Sequence, residues 1–386
     1  MLNSPKLRII LLAAIFVGSG DNISRSEEHV TIRSAGTQLL LSGRTLVEAQ
    51  DGGIYFESND RQIWGVEPND LLKHVKGEGS FQPLDRVRLK SELLAELPAG
   101  FLVRETEHYI IAYNTSDAYA KWCGSLYERL HDAFTKYWQR RGIVLQPTPP
   151  LVAVVFQDRR SFEEYGKTEL GEAVKAVIGF YSLKTNRITT YDLTGVDQAR
   201  GNFRSSDSIR KISHALMANP EAERTVATVI HEATHQLVFN SGMQQRFADI
   251  PVWLSEGLAI YFETPDLGRS RGWSTIGAVN RVRLAQLRKY LPNRSANSLK
   301  SLIVDDTRFH DTRLSEAAYA EAWALCYVLQ KQTPLKKQFD QYLKLLQKKQ
   351  IGLEDNPQTR LNEFESIFGP VKKLDARFLK VTSKLR

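Results

Sequence analysis

The order of the chain predicts an α+β protein: short alternating strands first, then strands interspersed with helices, then an almost entirely helical C-terminal third. Segments such as HVTIRS, TLVEAQ and IYFES alternate apolar and polar residues, the period of a half-buried strand. LVAVVF at 151–156 is a continuous apolar run behind PTPP, which predicts a strand buried on both faces. Trp122, Leu126, Leu130, Phe134 and Trp138 recur every four residues, as the core face of a long helix does.

The elements follow in order. Residues 21–80 read as a small β module, with strands near 29–34, 45–50, 54–58 and 61–67 and a DGG turn at 51–53. GEGSFQP at 77–83 reads as a linker into the main domain, residues 81–386. A helix is expected over 84–97, stopped by Pro98 and Gly100, followed by a hairpin in FLVRETEHYIIAYNTS. Thr115 or Ser116 caps the long helix. After the buried strand come a short helix at 161–165, two strands in AVIGFYS and RITTYDL, and a polar loop through GNFRSSDS. Further helices are expected at 317–330 and 336–348.

Composition bounds the function. The 386 residues carry a net charge of +8, which leaves room for a nucleic-acid or acidic partner. The basic residues are scattered and sit beside acidic ones, as in DRRSFEEYGK, and no basic run is interleaved with aromatics. The charge reads as a solvated surface, with no nucleic acid as partner. At the N-terminus Lys6 and Arg8 precede an apolar run at 9–17 and the small residues Gly18, Ser19 and Gly20, the pattern of a signal peptide over 1–20. The run is far short of the roughly 20 residues that cross a bilayer. An exported protein is expected, periplasmic or extracellular, with no stable membrane span after cleavage. Cys123 and Cys326 either pair in that oxidising compartment or serve as two small buried hydrophobes.

The chemistry concentrates in TVIHEATHQLVFN. His231 and His235 stand four apart with Glu232 beside the first, so a helix projects both imidazoles from one face. Residues 228–237 carry no charge except Glu232, so this helix can be buried, and its polar side chains then require partners. With twenty residues between it and His235, Glu256 lies in PVWLSEGLAIYFE among Trp253, Leu254, Leu258 and Ala259, an apolar setting that favours a cation-bound carboxylate. Pro251 suits the first turn of that helix, and Gly257 is expected to let it pack closely against the motif helix. Two histidines and a carboxylate leave a fourth position open for water on Zn²⁺, with Glu232 placed to take its proton. Glu263, seven residues past Glu256 and on the same face, is the candidate to hold a ligand histidine in its tautomer.

H-E-x-x-H followed by a helix-borne Glu resembles the gluzincin clan of zinc metallopeptidases. PVWLSEGLAIYFE, AVIGFYS with NRITTYD, and YAEAWALCYVL resemble the peptidase-MA-like family of bacterial proteins, over roughly residues 100–335. The resemblance implies a zincin-like catalytic domain, a small mixed sheet with active-site helices, holding Zn²⁺ by His231, His235 and Glu256 with Glu232 as catalytic base. It implies a peptide or protein substrate, bound along an edge strand for which IGFYS and RITTYDL are candidates. A transition-state stabiliser is expected from the downstream helices, either Tyr319 or His310. Tyr319 also reads as a core tyrosine, and His310 as a surface residue. Two other readings stay open: a binding or assembly protein with a structural zinc, and a surface protein using its basic charge on anionic polymers.

Overall fold

The alternating segments at the start of the chain build one antiparallel sheet in a computed structural model, which describes residues 26–193, 220–264, 273 and 275–386. The expected signal peptide and the GNFRSSDS loop lie outside the described residues. The first sheet contains β1 (Ser26–Ser34), β2 (Thr37–Glu48), β3 (Ile54–Ser58), β4 (Ile63–Val66) and β5 (Leu71–Ser80), in the order β4-β3-β2-β1-β5. Its inner face is Val30, Ile32, Ile54, Phe56 and Val66. Ser34 pairs with Thr37 across a two-residue turn whose Ala35 and Gly36 have φ of 49° and 79°, the positive values that a tight hairpin turn requires. Two expectations need correction. GEGS closes β5 and is not a linker, and β2 begins at Thr37, well before TLVEAQ.

The second sheet holds β6 (Leu102–Glu105), β7 (Tyr109–Tyr113), β8 (Leu151–Phe156), β9 (Gly179–Tyr181) and β10 (Arg187–Tyr191), in the order β6-β7-β8-β10-β9. The three central strands are parallel and the edge strands antiparallel. β8 lies between two parallel neighbours and is buried at every residue, which explains its unbroken apolar run. Leu89 and Leu93 of α1 (Arg86–Glu96) and Phe162 of α3 (Arg159–Leu170) pack with Ile110, Val154 and Phe156 of the sheet. α3 is longer than expected at both ends, its start capped by the Asp158 side chain, which accepts from the Ser161 amide at 2.8 Å. The long helix is α2 (Asp117–Gln139), and Ser116 rather than Thr115 caps it, accepting from the Tyr119 amide at 3.2 Å. The Thr115 hydroxyl bonds Asp192 instead. All five residues of the stripe that recurs every four positions are buried.

By contacts the chain divides into two units, Met1–Gly124 with Pro149–Ser206 and Ile351–Leu353, and Ser125–Thr148 with Asp207–Gln350 and Glu354–Arg386; the division falls inside α2. The second unit is helical among the described residues: α4 (Pro220–Asn240), α5 (Val252–Phe262), α6 (Arg281–Tyr290), α7 (Ser298–Val304), α8 (Thr307–His310), α9 (Ser315–Lys331), α10 (Thr333–Leu346), α11 (Pro357–Phe368) and α12 (Val371–Thr382). α5 is apolar except for Ser255 and Glu256 and is buried from Trp253 to Phe262, as a central helix must be. It touches both α4 and α9. Gly257 faces α9, where an added Cβ would lie 2.6 Å from the Ala322 carbonyl oxygen and 2.6 Å from Cys326 Sγ. The close approach it permits is therefore to α9 and not, as the sequence suggests, to the motif helix. Cys123 and Cys326 are buried free thiols. Among the described residues no helix is long and apolar enough to cross a membrane.

Candidate metal centre

α4 and α5 cross so that their polar side chains meet inside an apolar setting. Val229, Ile230, Ala233 and Leu237 bury the rest of the α4 surface around the two histidines. His231 Nε2 lies 3.1 Å from Glu256 Oε2 and 3.2 Å from His235 Nε2, and His235 Nε2 lies 3.7 Å from Glu256 Oε1. Glu256 is only 3% exposed. Bonds of about 2.0–2.1 Å to a tetrahedral zinc separate neighbouring ligand atoms by about 3.3 Å. The two rings and the carboxylate form a triangle of groups close to that spacing, with Glu256 meeting His231 through one oxygen and His235 through the other.

The outer nitrogens of both rings are also held. His231 Nδ1 lies 2.9 Å from Glu263 Oε2, and His235 Nδ1 lies 3.3 Å from Ser255 Oγ. A carboxylate only accepts, so His231 Nδ1 carries a hydrogen and the Nε2 of the neutral ring is a bare lone pair. That lone pair faces a carboxylate oxygen at hydrogen-bonding distance, an arrangement repulsive unless a proton or a metal cation lies between them. α5 thus supplies three of the groups: Ser255, Glu256 and, at its C-terminal cap, Glu263. Glu263 is held in turn by Asn280 Nδ2, which donates to its Oε1 at 2.7 Å.

The electrostatics follow from this geometry. Burial pushes the His231 imidazole down, but the carboxylates of Glu256 and Glu263 outweigh it and bring the group up to about 10 in the absence of a cation. For His235, burial and the neighbouring charge of His231 outweigh Glu256, and the ring is lowered to about 3. Burial favours a neutral Glu256, yet its bond to His231 and the nearby His235 hold it down at about 2. The site therefore presents a carboxylate and a neutral imidazole beside an imidazole that holds a proton.

Glu232 stays outside the triangle, half-buried, and its charge acts on both the His231 ring and the Tyr319 hydroxyl. Tyr319 lies on α9 with its ring edge-on to Phe309, centroids 5.2 Å apart, and the Arg283 guanidinium 5.4 Å from its centroid. Burial and the charges of Glu256 and Glu232 raise its hydroxyl well above the ordinary value, against the opposing Arg283, so it stays protonated. His310 is exposed at the end of α8. The structure thus draws His231, His235, Glu256 and Glu263 into contact and leaves Tyr319 within electrostatic reach of Glu256 and Glu232. Sequence reasoning missed Ser255 and Asn280. Ser255 is adjacent to a named ligand and was open to discovery; Asn280 shows only as a helix N-cap.

The family model described as a protein of unknown function (DUF1570) matches residues 225–353, a stretch that takes in every residue of the cluster. No curated protein matches the chain.

Proposed function

We propose that this protein is an exported zinc metallopeptidase of the gluzincin kind, with His231, His235 and Glu256 as metal ligands. The observation that carries the reading is the meeting of the two Nε2 atoms and the Glu256 carboxylate, with both outer imidazole nitrogens already engaged. Two histidines and one glutamate form a donor set known for catalytic zinc sites, which keep one position open. Zinc, when bound, supplies Lewis acidity that brings the pKa of a water molecule at that position towards neutrality. The protein's own residues do the rest. Glu232 accepts a proton from the attacking water as its oxygen bonds the peptide carbon, and returns that proton to the amine nitrogen as the C–N bond breaks. Tyr319, protonated throughout the neutral range, donates to the oxyanion that forms in between. Export rests on the N-terminal pattern of the sequence alone.

Metal analysis of the purified protein, with cleavage of a mixed peptide library in the presence and absence of a chelator, tests the whole. Glu232→Gln should retain the wild-type zinc content while turnover falls by at least about 10²-fold, the lower range for loss of a general base. Wild-type turnover in that variant would remove Glu232 from the chemistry.

A further inference from the structure

We propose that Asn280 is a positioning residue of the metal centre, fixing through Glu263 the ring orientation and tautomer that make His231 Nε2 a ligand. The inference rests on the zinc reading above. Asn280 precedes α6, and its side chain bonds in two directions. Its Oδ1 accepts from the Arg283 amide at 3.0 Å, and its Nδ2 donates to Glu263 Oε1 at 2.7 Å. A backbone N–H can only donate, so the first bond decides which end of the amide is oxygen and aims the NH₂ group at Glu263.

Among the described residues the hydrogen-bond partners of the Glu263 carboxylate are Asn280 on one oxygen and His231 on the other. Glu263 is 8% exposed, so water offers little replacement for a lost partner. With Oε1 held by Asn280, Oε2 points at His231 Nδ1 and requires a hydrogen there. Nε2 is then left bare towards Glu256 and His235. One amide thereby ties the N-terminus of α6 to the C-terminal cap of α5 and, through it, to a ligand on α4. Partners of ligand histidines of this kind typically cost 10–100-fold in metal affinity when removed.

The competing role is that of a simple helix cap, and cap-preserving substitutions separate the two. Serine and aspartate cap helices about as well as asparagine. The serine hydroxyl is too short to reach Glu263 as well, and aspartate sets a carboxylate against a carboxylate. The full chain is tested for zinc affinity by competition with a chromophoric chelator, and for the thermal midpoint of the zinc-free protein. Asn280→Ser and Asn280→Asp should each weaken zinc binding by about 10-fold or more, with zinc-free midpoints close to wild type. Added to Glu263→Gln, Asn280→Ser should produce little further loss, because its effect passes through that carboxylate. Zinc affinities within about two-fold of wild type in both cap-preserving variants, with Glu263→Gln still weakened, would reduce Asn280 to a cap and leave the zinc reading standing. A wild-type chain that does not bind zinc would overturn both.

Discussion

His231 sits between two carboxylates, while His235 sits between a hydroxyl and another imidazole, and this difference sets how the centre titrates. His231 holds its proton up to about 10, and His235 is neutral above about 3. Zinc entering at neutral pH must therefore displace one proton, that of His231. Titration calorimetry at pH 7.5 in buffers of differing ionisation enthalpy should show about one proton released per zinc bound. The apparent affinity should climb about ten-fold per pH unit across the neutral range and level off as pH nears 10. Without a cation, the raised imidazole stabilises the fold fully below its ordinary value of 6.5, and that contribution fades as pH climbs through about 10. Zinc uptake with no proton release would mean that His231 is already neutral in the folded chain.

Gly257 shows how the site depends on an element rather than on a side chain. α5 carries Ser255, Glu256 and Glu263, and its distance from α9 is set where Gly257 meets Ala322 and Cys326. A methyl there would meet a backbone oxygen at 2.6 Å, which no rotamer change relieves. Gly257→Ala should destabilise the protein by about 1–3 kcal/mol, the usual cost of overpacking, visible as a lower midpoint in urea denaturation. An unchanged midpoint would mean that α5 shifts freely against α9. The elements bearing the site were legible because their signals are local: His231 and His235 share a helical face, and Glu256 stands out against apolar neighbours. Gly257's partner was not, since a glycine does not say which helix approaches it. Nor was β5, because LLKHVKGEGS is exposed nearly throughout and so shows no alternation, and Leu40, 74% exposed, hides the start of β2. Asn280 escaped notice because its link to Glu263 crosses seventeen positions and exists only once the helices are packed.

The second unit as a whole holds its helices by contacts that need no metal. Glu321, fully buried on α9, accepts from Arg294 at 2.6 Å and from Arg308 at 2.6 Å, and Arg294 also pairs with Asp375 of α12. Arg360 of α11 binds Asp249 at 2.6 Å and Asp306 at 3.1 Å. Trp253 of α5 stacks on Tyr342 of α10 at 6.0 Å, with Phe364 of α11 edge-on to it at 5.8 Å. Trp253 thus ties α5 to α10 and α11 by contacts that use none of the candidate metal ligands. On the proposed reading the zinc adds to a fold that stands without it, unlike a structural zinc, whose binding free energy is the folding free energy. At free zinc 100-fold above its dissociation constant the gain is about 2.7 kcal/mol, which for a unit of this size moves the thermal midpoint by roughly 5–10 °C. Scanning calorimetry with and without a chelator should show that shift and a cooperative transition in both samples. A chelated chain that is already unfolded at room temperature would make the metal a structural support, and the binding-protein reading would then displace the peptidase.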